Sequence, residues 1–184
     1  MQEKQIDYSV LNGKKIVFLG SSVTRGEWES RYSFADALVT KYGCIMIKQA
    51  ISGTTLCSSR PRSYVERLDQ IPILCKPDLF VCQLSTNDAA LEMPFGSISN
   101  NSIFDPNSLC GAIEFIITQI KKRYSCPICF YTSPRFDSTY YSNSVTLLQQ
   151  IVQKHDINLI DLWNDDEFNL MTDQKRSLYM SDPI

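Results

Sequence analysis

The chain has 184 residues, is 43% hydrophobic and 21% charged, and carries a net charge of −2. That length and balance fit one globular domain with a core of its own. They argue against a nucleic-acid partner, which favours a basic patch, and no apolar run approaches the length of a membrane span.

The opening stretch, MQEKQIDYSVLNGKK, is polar and has no apolar segment of the kind that directs export. The seven cysteines are scattered rather than packed into a short loop-rich frame. Without an export signal they read as reduced thiols of a cytoplasmic protein. Cys126-Pro127-Ile128-Cys129 is a single Cys-x-x-Cys. It has no second pair to complete a zinc site and runs into a strand pattern instead of opening a helix, so no metal is expected. Both cysteines are expected to be buried strand residues, since free Cys packs as a small hydrophobe.

Along the chain, KKIVFLG (Lys14 to Gly20) is an apolar run closed by glycine, the pattern of a buried strand. SFADALVTKYG predicts a helix capped by Ser33, with Phe34, Ala37 and Leu38 on one face and Gly43 at its end. CIMIKQAI is a second strand, SYVERLDQI a short helix stopped by Pro72, and PDLFVCQLS a third strand. A polar loop, FGSISNNSIFDPN, follows; loops of that length in compact domains are often functional. SLCGAIEFIITQIKKRY is the clearest helix, with Leu109, Ile113, Ile116, Ile117 and Ile120 in one stripe and Lys121, Lys122 and Arg123 in its last turn. PICFYTS predicts a fourth strand, SNSVTLLQQIVQKH a helix, INLIDLW a fifth strand, and MTDQKRSLYM a short final helix.

Strands alternating with helices predict an α/β fold. The expected form is a parallel sheet of five strands covered on both faces by helices, with the whole chain in one domain. Ligands of such sheets bind beyond the carboxyl ends of the strands. There the sequence places Gly20-Ser21-Ser22-Val23-Thr24, then Ser52-Gly53-Thr54-Thr55, Ser85-Thr86-Asn87-Asp88, Ser133-Pro134-Arg135 and Trp163-Asn164-Asp165-Asp166. Each group alone reads as turn or cap chemistry. Together on one edge they suit a site that attacks with a hydroxyl and stabilises an oxyanion with amides.

Four blocks resemble the SGNH (GDSL-type) hydrolases, a family of serine esterases and acylhydrolases, and the resemblance implies their fold, a flavodoxin-like three-layer α/β/α sandwich with a five-stranded parallel sheet. VFLGSSVT is similar to the family's first block, usually Gly-Asp-Ser. AISGTTL is similar to the second, QLSTND to the third (usually Gly-x-Asn-Asp), and MSDPI to the start of the last, Asp-x-x-His. The resemblance implies Ser22 as nucleophile. It implies an oxyanion hole made of the N–H of Ser22, the N–H of Gly53 and the side-chain amide of Asn87. It makes Asp182 the carboxylate that orients the catalytic base, and it calls for no cofactor. The partner it implies is a small-molecule ester.

Three positions depart from the pattern. Ser21 stands where aspartate is usual, and Ser85 where glycine is usual. The family's histidine lies three residues beyond its aspartate, whereas the sequence stops at Ile184, two beyond Asp182. The expectation is a single SGNH hydrolase-like domain over 1–184 that lacks its histidine-bearing segment and last helix. His155, the one histidine, ends a helix that returns the chain to the amino edge of the sheet. A strand of five or six residues spans about 17–20 Å, so His155 is expected to face solvent too far from Ser22 to serve as its base.

Arg25, Glu27 and Trp28 could line a pocket beside Ser22, Arg60 and Arg62 could meet an anionic group, and the loop from Pro94 to Asn107 could cover the site. Two other readings stand beside the esterase. One is a catalytically inactive module that binds acyl or carbohydrate ligands. The other is a flavodoxin-like nucleotide or phosphate binder using Gly20 to Thr24 as an anion loop, although neither Gly-x-Gly-x-x-Gly nor Gly-Lys-Ser/Thr occurs.

Overall fold

The computed structural model describes residues 7–170. Five strands form one parallel sheet: β1 (Lys15–Gly20), β2 (Ile45–Ala50), β3 (Leu79–Gln83), β4 (Ile128–Tyr131) and β5 (Asn158–Ile160). Their spatial order is β2-β1-β3-β4-β5. The chain steps one way from β1 to β2 and the other way thereafter. With right-handed crossovers this puts α2 (Phe34–Tyr42) on one face and α3 (Tyr64–Leu68), α5 (Leu109–Arg123) and α6 (Thr139–His155) on the other. The three-layer parallel architecture expected from the sequence is therefore present.

Alternation along the strands sorts the core into two. Val17 and Leu19 of β1, Phe80 and Cys82 of β3, and Phe130 of β4 join the larger cluster under α3, α5 and α6. Ile16, Phe18, Val81 and Tyr131 point the other way into a smaller cluster with Ala35, and Leu38 of α2 packs against it. The register brings Val17 opposite Phe80 and Phe18 opposite Val81, so neighbouring strands present apolar residues to the same face.

Local chemistry sets the ends. Ser33 and Asp36 close a capping box on α2, and Gly43 ends it in the left-handed conformation at φ 71°. Ser138 caps α6 three residues earlier than the helix pattern predicts. The fifth strand is shorter than INLIDLW, because the Asp161 carboxylate accepts from Thr132 Oγ1 and from Gln149 and Asn164, and so turns the chain away from the sheet. Three short helices escape the apolar-periodicity pattern: α1 (Ser22–Arg25), α4 (Thr86–Ala90) and α7 (Asp166–Asn169). The predicted helix MTDQKRSLYM lies outside the described residues.

All seven cysteines are free. Cys129 is a buried residue of β4 as expected, but Cys126 is half-buried in the turn before it, so only one of the pair is a strand cysteine. Among the described residues, no helix is long and apolar enough to cross a membrane.

Candidate active site

The nucleophile candidate sits where β1 ends. Gly20 closes the strand, and a Cβ there would lie 1.7 Å from Thr24 Oγ1, so only glycine allows the sharp entry into α1. Ser22 is the first residue of α1 and is half-buried. First-turn amides of a helix have no partner within it, and the Ser22 N–H donates to no backbone carbonyl among the described residues.

The turn is held from below by Gln83, the last residue of β3. Its Oε1 accepts from Ser21 N at 2.9 Å, from Ser21 Oγ at 3.3 Å and from Thr24 Oγ1 at 2.9 Å. Tyr131 OH lies 2.6 Å from the same Thr24 hydroxyl. Burial pushes the Tyr131 phenol far above its usual range, against the lowering pull of its bond to Thr24, so it stays neutral. Ser21, at the position where the family has aspartate, is completely buried and faces Gln83. The hydroxyls of Ser21 and Thr24 are thus spent inside the protein.

Gly53 follows β2 at φ 73°, with nothing within 4 Å of where a Cβ would stand. Glycine is required there by the left-handed backbone rather than by space. Its N–H donates to no backbone carbonyl among the described residues. The next residue, Thr54, joins this loop to the third block: its carbonyl accepts from Asn87 Nδ2 at 3.0 Å and from Ser85 Oγ at 3.3 Å. That bond uses one of the two Asn87 amide hydrogens and orients the other.

Ser85, in place of glycine, has an ordinary extended backbone and caps α4, its Oγ accepting from Asn87 N and Asp88 N. Asp88 is buried inside α4 and does not cap it: its carboxylate accepts from Leu56 N at 2.7 Å and Cys57 N at 3.1 Å. It thereby anchors the far side of the Gly53 loop. Burial nonetheless raises the Asp88 pKa, outweighing the bonds that favour its charged form.

The remaining candidates fall in different places. Asp182 lies outside the described residues. His155 is at the amino edge as expected, but it does not face solvent freely. Its side chain is 15% exposed, and its Nε2 lies 2.9 Å from the fully buried Glu114 carboxylate. The apolar stripe of α5 hid this acid: Glu114 falls among its buried positions, where an unpaired charge would be costly, so it gathers Lys154, His155 and the Ser99 N–H.

Arg25 pairs with Glu27 at 3.2 Å, and the Glu27 carboxylate also accepts from Ser52 Oγ beside Gly53. Trp28 is 70% exposed, so it is a surface residue and not a packing one. Arg60 and Arg62 are exposed.

The long loop docks on helices. Phe95 stacks on Tyr140 at 4.2 Å, Ser99 donates to Glu114, and Ser58 N donates to the Pro106 carbonyl. A cavity of about 510 Å³ lies within the loop, lined by Ile98, Asn101, Phe104 and Ser108 among others.

No protein-family model matches the sequence, and a search of curated proteins finds no match. Solved structures do match. A protein from Lactobacillus plantarum is 18% identical with a TM-score of 0.75, over 91% of this chain and 86% of that one. A candidate GDSL-like lipase from Bacteroides ovatus is 19% identical with a TM-score of 0.64, over 83% and 86%. An acetyl xylan esterase from Geobacillus stearothermophilus is 16% identical with a TM-score of 0.59, over 86% and 79%. The chain has the α/β fold of the SGNH (GDSL-type) hydrolases.

Proposed function

We propose that this protein is a serine ester hydrolase acting on acyl or acetyl esters of small molecules. The observation that carries the reading is the convergence at one sheet edge of Ser22 on its helix turn, the Gly53 loop and the Asn87 amide bonded to Thr54. Ser22 Oγ would attack the ester carbonyl carbon as a base takes its proton, and the carbonyl π pair would move onto oxygen. The N–H groups of Ser22 and Gly53 and the free amide hydrogen of Asn87 would receive that oxyanion; such donors are worth about 2.7–4 kcal/mol each. Collapse expels the alcohol, which regains a proton from the base, and water then releases the acyl group from Ser22.

Asp182 would orient the base in this proposal, as the resemblance implies. His155 is not that base, because it is engaged by Glu114 at the opposite edge. The lipase and esterase names of the structural neighbours support the ester-hydrolase class. The free thiols are consistent with a reducing, cytoplasmic setting.

A fluorophosphonate probe tests the proposal. The phosphonyl group is expected on Ser22 by peptide mass mapping, and Ser22→Ala is expected to abolish both labelling and any turnover of short p-nitrophenyl esters. A folded protein that takes no label at Ser22 would instead mark a module that binds acyl or carbohydrate ligands without turnover.

A further inference from the structure

Arg67, on the short helix α3, is among the largest fully buried side chains. No carboxylate among the described residues lies within ion-pair distance of it. Neutral oxygens surround it instead. Its Nε donates to Arg62 O at 3.0 Å and its Nη1 to Gln49 O at 2.6 Å. Its Nη2 donates to Gly20 O at 2.9 Å and to Thr54 Oγ1 at 3.0 Å. Thr54 Oγ1 passes its own hydrogen to Ile51 O, so every bond in the set has a consistent donor. The guanidinium also lies over the Tyr64 ring, 5.0 Å from its centroid.

Those acceptors are a selected set. Gly20 lies two residues before Ser22, and Thr54 directly follows Gly53. One planar group therefore ties the end of β1, the end of β2 and the oxyanion loop together. The guanidinium satisfies three backbone carbonyls and a hydroxyl that would otherwise lose a partner, so it also holds the fold. A fixed charge held close to where negative charge develops is a catalytic arrangement.

We propose that Arg67 is a positioning residue of the ester-hydrolase site. Its fork locks the Ser22 turn to the Gly53 loop, and its uncompensated charge favours the oxyanion formed between them. This rests on the assignment of Ser22 and Gly53 above. Its titratable neighbours are Tyr64, Cys82 and Arg62. Burial pushes the Tyr64 phenol and the Cys82 thiol upward, so both remain neutral near pH 7 and neither opposes the guanidinium charge.

The test is the second-order rate of fluorophosphonate labelling at Ser22 in the full chain, for the wild type, Arg67→Lys and Arg67→Met, with folding followed by circular dichroism. Arg67→Met is expected to slow labelling about 10²-fold while folded. Arg67→Lys keeps a charge but loses the fork. It is expected to fall less at about pH 6, and further behind the wild type by about pH 9, because a buried lysine sheds its proton far more readily than arginine. A purely structural arginine would not create that pH dependence.

Labelling of folded Arg67→Met at the wild-type rate overturns the proposal. So does a lysine-to-wild-type ratio that is the same at both pH values, and this ratio decides the matter if Arg67→Met does not fold. Absence of label on the wild type removes the hydrolase reading and this inference together, an outcome distinct from either.

Discussion

Asn87 shows how one side chain can be divided between structure and chemistry. One amide hydrogen is committed to Thr54 O, and the backbone N–H is held by Ser85 Oγ. Asn87→Ala removes the amide but leaves the Ser85 cap of α4 intact, so the helix should persist. The expected outcome is a drop of about 10²–10³ in the rate of Ser22 phosphonylation, with a thermal midpoint close to wild type. An unchanged rate would remove Asn87 from the oxyanion hole. Ser22, Gly53 and Asn87 were legible as candidates through the resemblance of the strand-end blocks to a known family, since a hydroxyl, a glycine and an amide after a strand each read alone as turn or cap chemistry. Arg67 and Gln83 were not. Gln83 interrupts an apolar strand and could have raised the question, but a lone arginine on a short helix reads as a solvated residue until its four acceptors are known.

Helices α5 and α6 are joined near the amino edge by Glu114, Lys154 and His155, with Lys121 donating to the carbonyl that ends α6. Burial by itself would raise the Glu114 pKa, but the bonds from Lys154, Ser99 N and His155 outweigh it and bring the carboxyl below its usual 4.5. A lowered folded-state value means that the unfolded chain binds more protons in that range. The stabilisation is therefore complete above about pH 4.5 and is lost as pH falls through the folded value. Glu114→Gln should cost about 1–2 kcal/mol at pH 7, toward the low side for charged hydrogen bonds because Lys154 remains partly in solvent. The same variant should show a flatter decline in stability below about pH 4.5 in urea titrations. Parallel wild-type and variant curves through that range would contradict it. The long loop should loosen with this change, since the same carboxylate holds Ser99 N at 2.8 Å.

Over the whole molecule, the sheet separates a large core from a small one, and the two should respond differently. Phe130 is completely buried between β4 and the α3, α5 and α6 layer. Phe130→Ala should cost about 3–5 kcal/mol by urea unfolding, from lost burial and the cavity left behind. Tyr131, its neighbour on the opposite face, meets Thr24 through its hydroxyl. Tyr131→Phe should therefore cost less, about 0.5–1.5 kcal/mol, and act mainly on the Ser22 turn. The sequence by itself determined the βα alternation, the parallel sheet and the edge on which the chemistry gathers. Those follow from local periodicity and from glycine, proline and serine punctuation, which need no knowledge of distant residues. Tertiary structure decided what lies beneath that edge: Gln83 under Ser21, Asp88 reaching the Gly53 loop, Arg67 joining two strand ends, and His155 drawn onto Glu114. Each of these depends on a buried polar group finding partners far away in sequence, and the partner is chosen by the cost of leaving that group unpaired once the layers have closed.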